Sequence, residues 1–451
     1  MNVKQLHKHH FGAALIAAAM AVTCGAHAAA VVGSLTPNHA METAGSRPDW
    51  VSAPRTKEAR AAWEQALARM AAGQLDEAAT GFAAAAKLEP NAIAPLLGSA
   101  DVAVRQGKTS EALKLVEKAQ QLAPDAPEVR IAAGRLAYGL GKKSEAEEHF
   151  KRAAAANANI AAPLLDLGEF YLAERRPADA VSVFTKAAAL KSPHPGASFG
   201  LGRALIATGD AKAAMAAFEQ SAKLAPTNPL PLMAMAELHL KANDPKQAIV
   251  LLDKALVLDP QLKSARLARA DALATQGSKD LARSEYLAML ETAKGSDAAL
   301  LHTKLAALKQ AARDTDGAVA ALKQAIKADP KFHPALNDLA WLAAEHKRDL
   351  DNGLAWAKTA TELAPTSANY LDTLGYVLLA RGEKEAAVNT FRRAIALSDA
   401  PEYHYHLGLA LQAQSQNQAA LASYQAALKA GKPFRDLEDA KRRIASLNGN
   451  R

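Results

Sequence analysis

Residues 161–194 read AAPLLDLGEFYLAERRPADAVSVFTKAAALKSPH, and the spacing inside this stretch decides the fold. Leu164, Leu167, Gly168 and Tyr171 recur at i, i+3, i+4 and i+7, the stripe of an amphipathic helix. Ala180, Phe184 and Ala187 repeat the i+4 and i+7 spacing in a second helix. Working outward, the same alanine returns as Ala78, Ala112, Ala146, Ala180, Ala214, Ala248 and Ala282, each 34 residues after the last. Four residues after each stand Phe82, Val116, Phe150, Phe184, Phe218, Leu252 and Tyr286. Seven after stand Ala85, Ala119, Ala153, Ala187, Ser221, Ala255 and Met289. The chain is therefore one helical pair copied end to end. Alanine suits a close approach of two helix backbones, and the bulky residue suits the wedge between that helix and the next pair.

Local signals agree with this repeat. Gly73, Gly107, Gly141, Gly209, Gly277 and Gly382 mark the turn inside a pair. Asp76, Ser110, Ser144, Asp280 and Asp316, at position 18 of their units, are expected to cap the second helices. Pro90, Pro124, Pro226 and Pro260 end second helices. The period and the Gly/Ala…Ala…Phe…Ala…Pro pattern resemble the tetratricopeptide repeat (TPR). The resemblance implies an all-α solenoid, a right-handed superhelix of about eleven helix–turn–helix units. The units start near residues 59, 93, 127, 161, 195, 229, 263, 299, 333, 368 and 401. Two extra residues enter near Gly295–Asp297, and one near Glu345–Asn352, where His346 to Asp351 is expected to lengthen a turn. The unit at 333 carries Gly353 and Ala357 in weakened slots. Phe434 and Leu437 through Leu447 read as a closing helix, because a last repeat would otherwise expose its apolar face. The expected organisation is a leader at 1–28, a flexible lead-in at 29–58, the solenoid at 59–432, and the closing helix and tail at 433–451.

The leader reading rests on Lys4 and Lys8, an apolar run from Phe11 to Thr23, and Ala26-His27-Ala28 at the spacing a signal peptidase reads. It places the mature chain, beginning at Ala29, in the periplasm. The alternative is an outer-membrane lipoprotein anchored through Cys24, although Ala21-Val22-Thr23 departs from the usual lipidation pattern. No segment reads as a membrane span. Cys24 is the only cysteine of the 451 residues, so no disulfide framework or cysteine metal site is expected. The formal charge of +8 falls to +6 without Lys4 and Lys8, and bases alternate with acids, so a nucleic-acid partner is not expected.

Tests for chemistry fail. Gly200-Leu201-Gly202 lacks the third glycine of a dinucleotide loop, and no strand precedes it. Histidines 302, 333, 346, 404 and 406 lack metal-ligand spacing, and no HExxH occurs. No nucleophile stands out, so the expectation is a protein without catalytic activity, cofactor or metal.

Aromatics make up only 5% of the chain, yet Trp341, Trp356, Tyr370, Tyr376, Tyr403, Tyr405 and Tyr424 gather near its C-terminal end. The TPR resemblance implies that first helices line a concave groove through positions 2, 5, 9 and 12. That phasing puts Asn337 and Trp341, Asp372 and Tyr376, and Tyr405 on positions 5 and 9 of three successive units. They are the candidate binding residues, with rungs about 10 Å apart. The alternative is that they only pack between units. Residues 336–342, 370–376 and 404–408 also resemble the last repeats of exported TPR proteins associated with bacterial exopolysaccharide and exosortase (PEP-CTERM) systems. That resemblance implies a scaffold holding a protein or polymer partner of the envelope or of polysaccharide assembly. Alternatives are a chaperone-like receptor for peptides and a module that binds polysaccharide directly.

Overall fold

In a computed structural model, the structure describes residues 53–449 apart from 157, 430 and 432. The expected leader, Cys24 and most of the lead-in lie outside the described residues. The described residues form twenty-three α-helices and no strand. Eleven helix pairs run from Lys57–Ala71 with Leu75–Leu88 to Pro401–Ala413 with Asn417–Lys429, followed by a closing helix, Leu437–Gly449. None of these helices is long and apolar enough to cross a membrane. The fold is an all-α solenoid of TPR pairs. The contacts divide it into two compact units, one ending at Ala272 and the other beginning at Leu273.

In the unit ending at Ala272, the phased alanines from Ala78 to Ala248 have no exposed surface. Phe82, Phe150, Phe184, Phe218 and Leu252 are also buried. Each phenylalanine ring fills its wedge so completely that the helix opposite must carry glycine. A Cβ at Gly168 would stand 2.5 Å from the Phe184 ring, and one at Gly202 2.5 Å from Phe218. Gly200 likewise faces Phe184, so the Gly200-Leu201-Gly202 stretch is a pair of packing sites. Tyr138, Phe150, Phe170 and Tyr171 extend the same core, Tyr138 edge-on to Phe170 and the others tilted, with centroids 5.4–5.7 Å apart.

The unit beginning at Leu273 repeats this plan through Tyr286, Leu322, Phe391 and Tyr424. Gly375 faces Phe391 and Gly408 faces Tyr424. Gly353 is a close contact rather than a weakened slot: a Cβ there would lie 2.9 Å from Ala343 Cβ. The bulk absent from Ala357 comes from Trp356, which packs between the neighbouring clusters.

Several local expectations are corrected. The two extra residues near Gly295 lengthen the first helix of that unit, Gly295–Ala311. The residue added near Glu345 likewise enters a helix, His333–His346. The turn after it spans only three residues, with Lys347 and Asp349 both left-handed. The capping side chains also stand two residues earlier than expected. Asp210, Asp244 and Asp314 accept from Ala213, Gln247 and Gly317 backbone N–H groups at 2.9, 3.2 and 2.8 Å. Asp76, Asp280 and Asp316 instead lie in the first turn, where a negative charge favours the helix dipole.

Candidate functional site

The aromatic residues near the C-terminus sit on three consecutive first helices, His333–His346, Ala368–Ala380 and Pro401–Ala413. Trp341 and Tyr376 are half-buried. Their rings stack, with centroids 4.8 Å apart and planes at 17°. The next ring is His406, 5.1 Å from Tyr376 and 5.8 Å from Trp341. A ten-ångström ladder ending in Tyr405 is therefore replaced by a tight stack ending in His406. Large rings span the gap between helix axes, so the side chains meet although the axes stand apart.

Asp372 holds the histidine in place. His406 Nδ1 lies 2.9 Å from both Asp372 carboxylate oxygens, and both residues are buried. Burial, the largest single influence on the imidazole, disfavours its charge; Asp372, with Asp436 and Glu402, outweighs this and raises its pKa. Asp372 thus anchors the stack.

Tyr405 points the other way. It is buried, its hydroxyl donates to Asp439 Oδ2 at 2.7 Å, and its ring packs on Tyr424 and Phe434. The closing helix covers it. Asn337 is also buried; its Nδ2 is 3.5 Å from Asp338 Oδ1, while its Oδ1 has no hydrogen-bond partner among the described residues. Burial pushes the neighbouring Asp338 carboxyl up to about 7, against a smaller pull from Asn337. His333 Nδ1 lies 2.7 Å from the Tyr370 hydroxyl, which burial and Asp338 push up.

Of the five candidate residues, the structure brings Trp341 and Tyr376 together on a partly open face. It places Asn337 and Asp372 beneath that face, and Tyr405 under the closing helix. Sequence reasoning missed His406, Glu345 and Arg435. Arg435, between the last pair and the closing helix, donates to Glu345 on helix His333–His346, ninety residues earlier. The signal for His406 was its repeat position, which it shares with Asp338. Glu345 and Arg435 carried no local signal.

The other unit holds a polar line that was also missed. First helices there bring Arg135 onto Asp166, both buried, with Arg135 Nε 3.2 Å from Asp166 Oδ1. Glu169 accepts from Arg203 at 2.7 Å. Both contacts join neighbouring repeats, the first between buried groups and the second between partly exposed ones. Among the described residues, no group of three or more His, Cys, Asp and Glu side chains is arranged to hold a metal.

No curated protein is significantly similar to the chain. The crystal structure of yeast Tom70 is similar at 17% identity, covering 87% of this chain and 95% of that one, with a TM-score of 0.49. YrrB, described as a TPR protein with an unusual peptide-binding site, is 21% identical over 41% of this chain and 95% of its own, with a TM-score of 0.32. A thermophilic TPR protein of Thermus thermophilus is 26% identical over 37% of this chain and 92% of its own, with a TM-score of 0.32. One tetratricopeptide repeat model matches residues 103–167, 171–238 and 205–256. A second matches 63–127, 233–298, 303–368 and 373–434, more than half of the chain, with the matched segments falling on the helix pairs described above, and the protein therefore belongs to the tetratricopeptide repeat family.

Proposed function

We propose that this TPR scaffold holds an extended segment of a partner protein on its Trp341–Tyr376 face, and that it does so as an exported protein of envelope or exopolysaccharide assembly. The observation that carries the binding reading is the half-buried stack of Trp341 on Tyr376, set on consecutive first helices. Large aromatics at a solvent boundary supply contact area at little entropic cost, which suits an interface anchor. A peptide fits better than a sugar chain. Each ring spends one face on the other, so neither offers the two free faces that a glycan ladder would use. A stacked repeat array also presents a preorganised surface, which lowers the ordering cost of binding.

The export reading rests on the leader pattern at 1–28, and the assembly context on the resemblance of residues 336–408. The decisive experiment captures partners from a periplasmic fraction with the parent protein. It then compares partner affinity and melting temperature for Trp341→Ala with Tyr376→Ala. Loss of affinity of about 1–2 kcal/mol per ring with a largely kept melting point supports the site. Melting far below the parent, with affinity lost only in proportion to unfolding, would show that the rings are core.

A further inference from the structure

Phe434, Arg435 and Asp436 precede the closing helix. Phe434 is buried against Tyr405. Next to it, Arg435 reaches Glu345. Arg435 and Asp436 both act electrostatically on the Tyr376 hydroxyl, Arg435 lowering its pKa and Asp436 raising it. The chain here thus holds its ring in the core and its cation on Glu345, one helical turn after Trp341.

The charges around Tyr376 define what this face accepts. Glu345, Asp436 and Asp372 are the carboxylates that act on it, and Arg435 is the cation among its influences. Asp372 is matched by His406. Without Arg435 the carboxylate of Glu345 keeps, among the described residues, only His346, 3.9 Å away, as a basic neighbour, a weaker partner than a guanidinium. In the Arg435–Glu345 pair the Arg435 side chain is 50% exposed and Glu345 24%. A half-exposed cation gains little net stability from such a pair, so Arg435 is the partner that can exchange.

We propose that the Arg435 side chain is an internal occupant of the binding face, and that a partner segment carrying a basic residue takes its place on Glu345. The inference rests on the peptide-binding reading above and names the chemistry of the partner. Phe434 and the closing helix stay in place, because Phe434 is 3% exposed and packed in the core. Only the Arg435 side chain exchanges. The arrangement makes the chain its own weak competitor, and selects partners with Lys or Arg beside an apolar residue.

The test uses the full chain and a labelled peptide copied from its own sequence, Gly-Lys-Pro-Phe-Arg-Asp, followed by fluorescence anisotropy. Arg435→Ala frees Glu345 and is expected to bind the peptide about three- to fivefold more tightly than the parent, the range such an ion pair supplies. Adding Glu345→Gln should return affinity to the parental level. Raising ionic strength from about 0.05 to 0.5 M should erase the difference. Melting temperatures of both variants should stay near the parent, since an ion pair with a half-exposed cation adds little stability. Equal binding by parent and Arg435→Ala, or a gain that survives Glu345→Gln, would overturn the proposal. If partner capture still depends on Trp341 and Tyr376 in that case, the binding face stands and only the role of Arg435 falls. If Arg435→Ala gains affinity that Trp341→Ala with Tyr376→Ala leaves unchanged, the acidic surface stands without the aromatic reading.

Discussion

The glycines of this chain divide into two kinds, and each kind predicts a different penalty. Gly107 sits at φ +75 with open space around its missing Cβ. Gly107→Ala should cost only the left-handed strain, about 1–2 kcal/mol. Arg175, Asn243, Arg313 and Ser415 tolerate that region in other units. Gly168 has an ordinary helical backbone but faces Phe184 at contact distance. Gly168→Ala should therefore overpack the wedge, costing about 1–3 kcal/mol, and Phe184→Leu should partly relieve it. Urea denaturation of the single and double variants checks this, and additive effects would contradict direct contact. A second residue-scale prediction concerns pH. The pKa of His406 is raised in the fold, so the stability it adds is present below the ordinary 6.5 and is lost as pH rises through the raised value. The carboxyl of Asp338 is held up to about 7 from an ordinary 3.8, so stability also falls as pH rises between those values. The unit beginning at Leu273 should thus melt higher near about pH 5 than near about pH 9. Asp338→Asn should flatten the lower part of that slope and His406→Gln the upper part. A parental melting temperature that rises across this range would refute both assignments.

At the scale of elements, most second helices pack through a buried alanine and, four residues on, a buried bulky residue. Ala180 and Ala248 have no exposed surface. Ala180→Leu or Ala248→Leu should each destabilise by about 1–3 kcal/mol, read as a lowered thermal midpoint. Unchanged midpoints for both would mean that these helices do not approach closely. The elements also show where pattern reading ran short. Helix existence followed from the 34-residue period, because an apolar stripe of this kind can be buried only by a neighbouring pair. Helix length did not follow. The extra residues near Gly295 and Glu345 continue helices, since nothing local distinguishes an inserted turn of helix from an inserted loop. Capping failed for a related reason. Asp at position 16 and Asp at position 18 both favour a helix start, one by hydrogen bonding and the other through the dipole. Only the backbone angles separate them.

For the whole molecule, circular dichroism of the mature protein should be dominated by helix, with no β contribution; a substantial strand signal would contradict the all-α fold. Mass spectrometry of the exported protein should find Ala29 at its N-terminus. An acylated Cys24 there would instead make it an anchored lipoprotein. The sequence by itself determined the fold class, the number of helix pairs and the identity of the core. These depend on local periodicity and on residue size, and both are written along the chain. It also pointed to Trp341 and Tyr376, whose repeat positions put them on the same face of adjacent helices. Only the tertiary structure decided that the two rings stack and that His406 is the third ring. It also showed that Asp372 serves the histidine, that Tyr405 lies under the closing helix, and that Arg435 reaches Glu345. Each of these depends on side-chain direction across a helix interface or on a contact between residues far apart in sequence. The repeat period fixes which helices are neighbours, but not which way a ring turns between them.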